Sequence, residues 1–142
     1  MSGRIFATPQ DAEAAFYEAL EHADLEAMMA VWAEDEEIVC IHPTGPRLAG
    51  LAEVRSSWAR MFAGGAGARV QITHRVEMAG MMLAVHSVHE NFAVPGGGRP
   101  SAPVVATNVY VRGAAGWRMI VHHASPGPGP AEPMGEAPKI LH

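Results

Sequence analysis

Cysteine is nearly missing from this chain. Cys40 is the only one among 142 residues, so no internal disulfide can form, which fits a reducing compartment. Basic residues are scarce as well. Ten Lys and Arg stand against fifteen Asp and Glu, for a formal net charge of −5 with histidines neutral. They neither run together nor interleave with aromatics, which argues against nucleic acid as a partner. Long apolar runs are absent too, because a charge, glycine or proline interrupts every stretch well short of the roughly 20 residues a membrane span requires. The start, Met1-Ser2-Gly3-Arg4-Ile5-Phe6, lacks the apolar core and small-residue cleavage site of a secretory signal. A cytoplasmic protein with no membrane attachment is expected.

What is present suffices for one domain: 49% of residues are apolar and 18% charged, enough to build a core. Thr8-Pro9-Gln10-Asp11 sets a hydroxyl cap, a proline and a carboxylate ahead of Ala12, Phe16, Ala19, Leu20 and Ala23 at helical spacing, so a first helix starts there. Asp24 offers a second cap before the stripe Leu25, Met28, Met29, Trp32. Ile38 to Ile41 is a short strand that stops at the turn His42-Pro43-Thr44-Gly45-Pro46. A third helix carries Leu51, Val54, Trp58, Met61 and Phe62 and closes at Gly64-Gly65. Four strands follow, over 70–79, 83–94, 104–112 and 117–124, and their succession implies an antiparallel meander. The fold class is thus α+β in the order α-α-β-α-β-β-β-β. Residues 1–125 form the domain, and the Pro/Gly-rich segment 126–142 forms a flexible or surface-draped tail.

That order, with Ala23-Asp24-Leu25, Val31-Trp32-Ala33-Glu34-Asp35, a strand ending at His42-Pro43, Gly50 before Ser57-Trp58, and the closing Gly116-Trp117-Arg118 and His122-His123-Ala124-Ser125, resembles the nuclear-transport-factor-like superfamily. The likeness covers about residues 8 to 126. It is closest to the SnoaL-like polyketide cyclases, the ketosteroid isomerases and the association domain of calcium/calmodulin-dependent protein kinase. It implies a cystatin-like cone: three N-terminal helices on a strongly curved, mainly antiparallel sheet, with a ligand pocket at the open end and a homodimer through the outer sheet face. Val88, Val105, Val109 and Val111 are the apolar residues expected on that outer face. The ligand expected is a small molecule of apolar or mixed polarity, with no cofactor.

His42 is the candidate base, because the resemblance places it where ketosteroid isomerases carry their catalytic aspartate and imidazole titrates near neutrality. The alternative is a histidine that only bonds its own turn. Phe16 stands where those isomerases have an oxyanion-hole tyrosine, which weighs against simple isomerase chemistry. Period two puts Val85, Ser87, His89 and Asn91 on one strand face. In the kinase association domain, positions matching His89 and Asn108 are pocket arginines, so the resemblance turns both residues inward and disfavours a strongly anionic ligand. Asn108, His89 and Tyr110 are then the candidate polarising donors. On the last strand, Trp117, Met119, Val121 and His123 share a parity, and the apolar members mark it as the inner one. His123 is expected inside, as a further pocket residue or a satisfied core histidine, and His122 outside. Trp32, Trp58, Met61 and Phe62 supply apolar wall. Cys40 lies two residues from His42 on the same face, about 6 to 7 Å away at Cα, and no thiol mechanism is expected. His42, His89 and His123 come from three strands without a close-spaced ligand pair, so no metal site is expected. The functional alternatives are an acid–base isomerase, cyclase or dehydratase, and a non-catalytic ligand-binding or assembly domain of the same fold.

Overall fold

The computed structural model describes residues 4–93 and 102–128. The capping signals operate at the atoms. Thr8 Oγ1 accepts from the Asp11 backbone N–H at 3.0 Å and opens helix α1, Pro9–His22. Ala23, at φ 50°, ends it in the left-handed conformation. Asp24 Oδ1 accepts from the Ala27 N–H at 3.1 Å and opens α2, Leu25–Val31. Helix α3, Leu51–Phe62, follows Gly50, whose φ of 92° favours glycine.

Six strands form one sheet: β1 (Val39–Ile41), β2 (Arg47–Ala49), β3 (Val70–Ala79), β4 (Leu83–Phe92), β5 (Val104–Gly113) and β6 (Gly116–Pro126), in the spatial order β2-β1-β6-β5-β4-β3. Among these strand pairs of the described residues, only β1 against β6 is parallel. β2 was not expected. The turn after Ile41, closed by Gly45 N–H to His42 C=O at 2.8 Å, sends the chain back along β1 instead of ending the strand. Three residues are too few to show a period of two.

Two bulges bend the sheet around the helices. On β3, Thr73 pairs with His89 and Val76 with Ser87, so His74 and Arg75 together face Val88, and His74 takes a φ of 52°. On β6, Met119 pairs with Tyr110 and Val121 with Val109, leaving Ile120 without a partner. This second bulge reverses the alternation. Trp117 and Met119 face inward before it, His122 and Ala124 after it, and His123 is exposed. The expected inner His123 and outer His122 are therefore exchanged.

β4 is also turned over. Ala84, His86, Val88 and Glu90 are buried within the cone, and Val85, Ser87 and His89 lie on the outer face. The cause is its register with β5. Ala84 is opposite Tyr110, His86 opposite Asn108 and Val88 opposite Ala106, and directly opposed residues share a face. The inward set Ala106, Asn108, Tyr110 is as expected, and it carries the Ala84 set with it. Val88 thus belongs to the core and not to the outer apolar face. The helices fill the concave side with Phe16, Met28, Val31, Trp32, Val54, Trp58 and Phe62. Met61 is 47% exposed, on the far side of α3. Of the expected tail, residues 129–142 lie outside the described residues, and β6 itself runs on to Pro126.

Candidate functional site

The interior of the cone is polar along one line. Glu13 and Tyr17, one turn apart on α1, are both buried and point at the sheet. Glu13 Oε1 accepts from Arg75 Nε at 3.0 Å, and its Oε2 accepts from Asn108 Nδ2 at 3.1 Å and from the Tyr110 hydroxyl at 2.9 Å. The β3 bulge brings Arg75 within reach from the sheet edge. His86 Nδ1 lies 3.1 Å from Glu13 Oε1, but the angle does not make a hydrogen bond, and both ring nitrogens stay without a hydrogen-bond partner.

Asn108 links this hub to a second group. Its Nδ2 also donates to the Tyr17 hydroxyl at 3.0 Å, and Tyr17 donates to Glu90 Oε2 at 2.6 Å. Asn108 Oδ1 lies 2.7 Å from His122 Nδ1, and His122 Nε2 lies 4.0 Å from Glu90 Oε2. Both of Asn108's amide hydrogens go to oxygen acceptors, so Oδ1 can only accept. His122 therefore carries its proton on Nδ1, and its Nε2 is a bare lone pair. Burial pushes the Glu90 carboxyl up to about 7, with the Glu13 charge adding and the Tyr17 hydrogen bond opposing. Burial pulls His122 down to about 3, helped by His42 and His123. Both groups are pushed toward their uncharged forms, so below about pH 7 they are a neutral acid beside a neutral base and not an ion pair.

His42 is half-buried at the end of β1. Its ring meets Trp58 edge-on at 4.7 Å, and Nε2 lies 3.1 Å from Ser57 Oγ, which itself donates to the Val54 carbonyl at 2.9 Å. Burial, then the Arg60 charge, lowers its pKa, which keeps the ring unprotonated at neutral pH. Cys40 Sγ sits 3.8 Å from the same Nε2. Burial raises that thiol to about 12, which removes it as a nucleophile. Trp58 also flanks His122, at 6.3 Å, and Phe16 lies 4.8 Å from His122. The buried indole N–H groups of Trp32 and Trp58 have no hydrogen-bond partner.

Among the residues singled out from sequence, the structure gathers His42, Cys40, Trp58, Phe62 and Phe16 around one aromatic block, and buries Trp32, Asn108 and Tyr110 nearby. His89 is excluded: it stacks on His74 at 4.5 Å on the outer face. Asn91 is buried but shares that face, donating to Gln71 C=O at 3.1 Å and Thr73 Oγ1 at 2.9 Å. Asn108 and Tyr110 do not serve as polarising donors, because Glu13 and Tyr17 take all their hydrogens. Glu13, Tyr17, His86, Glu90 and His122 were not identified from sequence. For Glu13 and Tyr17 the signal was there, as two polar residues four apart within an apolar helix stripe. Among the described residues, no group of three or more His, Cys, Asp or Glu is placed to hold a metal ion, and no helix is long and apolar enough to cross a membrane.

A helix-filled, bulge-bent sheet with a polar interior defines the cystatin-like cone, an architecture shared by solved structures. Residues 10–128 match the model of the SnoaL-like domain, and the chain belongs to that family. It is similar to a chain from Thiobacillus denitrificans described as a calcium/calmodulin-dependent protein kinase type II association domain, at 41% identity and TM-score 0.82, covering 88% of this chain and 99% of that one. It is also similar to a Streptomyces avermitilis protein described as a dehydratase of the NTF2-like family, at 30% identity and TM-score 0.71, covering 82% and 91%. The F-box protein SKIP8 of Arabidopsis thaliana is 30% identical over 111 residues, 78% of this chain, and this chain spans only 46% of that protein.

Proposed function

We propose that the chain is a small-molecule enzyme working by general acid–base catalysis, of the isomerase, cyclase or dehydratase kind, with His42 as base and Glu90 as acid. The observation that carries this is Glu90: a carboxyl buried in the cone, bonded by one tyrosine and raised to about 7. A group so placed holds a proton at neutral pH and can release it, while His42, lowered from its ordinary value, is free to accept one. Two titratable groups pushed to complementary states are what such chemistry needs. In an elimination, His42 would take the proton beside a carbonyl, the electron pair would form the double bond, and Glu90 would protonate the leaving hydroxyl, which departs as water. The likeness to a protein described as a dehydratase supports this class.

The second reading, an assembly or binding domain, draws on the 41% identity to a chain described as a kinase association domain. Deuterium incorporation separates the two. Simple ketones and β-hydroxyketones incubated with the protein in D2O are expected to exchange the protons beside their carbonyl, and His42→Ala and Glu90→Gln each to reduce the rate at least tenfold while the fold persists. Ligands that bind without exchange would favour the second reading.

A further inference from the structure

The hydrogen bonds of the interior run one way round a ring with a single gap. His122 Nδ1–H donates to Asn108, Asn108 donates to Tyr17, and Tyr17 donates to Glu90. The ring would close from Glu90 back to His122 Nε2, but those atoms are 4.0 Å apart, too far for a direct bond. One oxygen at about 2.8 Å from each fits that separation. Its chemistry is dictated by its neighbours. His122 Nε2 has a lone pair and no hydrogen, so the inserted atom must donate to it. Protonated Glu90 has a hydrogen to give, so the same atom must accept. A carbonyl oxygen cannot donate and an ammonium cannot accept, whereas a hydroxyl does both.

We propose that the gap between Glu90 and His122 is the subsite for a hydroxyl group, and that the ligand of the cone is an uncharged hydroxyl compound. This rests on the reading of the cone as the acid–base site, and it names the substrate class. The flanking surfaces agree. Phe16 and Trp58 tilt against His122 at 47° and 41°, so the surroundings of the gap are aromatic. The state of Glu90 supports the assignment, since burial holds it protonated up to about 7. A ligand hydroxyl seated in the gap would close the ring, donating to His122 Nε2 and accepting from Glu90. In an elimination it would be the group that leaves.

The test uses the unmodified chain labelled with 15N-histidine at pH 6, with benzyl alcohol, benzyl methyl ether and toluene as probes. In the free protein, His122 is expected to show a protonated Nδ1 and a bare Nε2. Benzyl alcohol should then move the Nε2 resonance toward the protonated range, while the ether, which cannot donate, and toluene should leave it in place. An Nε2–H tautomer in the free protein, equal responses to all three probes, or no response at His122 to the alcohol would each overturn the proposal. The deuterium experiment reads His42 and turnover, so its failure leaves this result standing, and the reverse also holds.

Discussion

Met119 and His122 face the same interior although three positions separate them on β6, because Ile120 between them has no partner on β5. His122 is thereby committed to Asn108, and its neighbour His123 is left in solvent. His122→Ala should strip Asn108 Oδ1 of its donor and cost roughly 1 to 3 kcal/mol. His123→Ala should stay within about 0.5 kcal/mol of the parent. Urea unfolding of the two variants decides, and equal effects would mean that the bulge is not where the structure has it.

The two shifted groups give stability a plateau on the acid side. His122 titrates at about 3 in the folded chain and near 6.5 when unfolded. The unfolded chain therefore binds more protons between those values, and stability is lost as pH falls through them. Glu90 goes the other way. Its carboxyl is raised from 4.5 to about 7, so its contribution is complete below 4.5 and is lost as pH rises to about 7. At one pH unit or more above that, the folded chain is weaker by roughly 3 kcal/mol. The terms oppose one another from about 4.5 to 6.5, and melting temperature should be nearly flat there and fall on either side. Glu90→Gln should remove the alkaline fall and leave the acid one, as thermal melts across pH would show.

Cys40 should be silent toward thiol reagents. The buried thiol, raised to about 12, carries almost no thiolate at pH 8 and has no exposed surface. An aromatic disulfide reagent is expected to report no reactive thiol in the native protein and one after denaturation. Rapid native reaction would contradict the packing beneath His42.

The outer sheet face should be where two copies meet. Met78, Val85, Val109 and Val121 form one row across four strands, since each pairs with the next. Val76 and Met78 are 57% and 54% exposed, more apolar surface than a lone face retains in water without a partner. Light scattering should give about twice the 15.1 kDa of one chain, and Val109→Asp should return it to one.

The helices and the meander were legible because their signals are local. Thr8 and Asp24 announce helix starts, and the turns around Gly80 and Gly113 separate strands of near-expected length. The site was less legible because it depends on which strand face looks inward. In β4 each face carries a valine and a histidine, Val85 with His89 and Val88 with His86, so alternation fixes the grouping but not its sense. In β6 the inner apolar residues Trp117 and Met119 point to His123 by parity, and nothing in Ile120-Val121 marks the bulge that moves the burden to His122. Asn108 and Tyr110 were placed on the inner face correctly. Had β4 been registered against them, His86 and Glu90 would have followed.

The ring draws one member from each of four elements: Tyr17 from α1, Glu90 from β4, Asn108 from β5 and His122 from β6. Glu13, also on α1, completes Asn108 and Tyr110. A sheet formed before α1 docks therefore shows water a concave face bearing a carboxyl, an amide, a phenol and imidazoles, all of them hydrated. Seating the first helix is thus what lets these groups exchange water for protein partners, because Glu13 and Tyr17 supply the bonds that Glu90, Asn108 and Tyr110 make inside the cone.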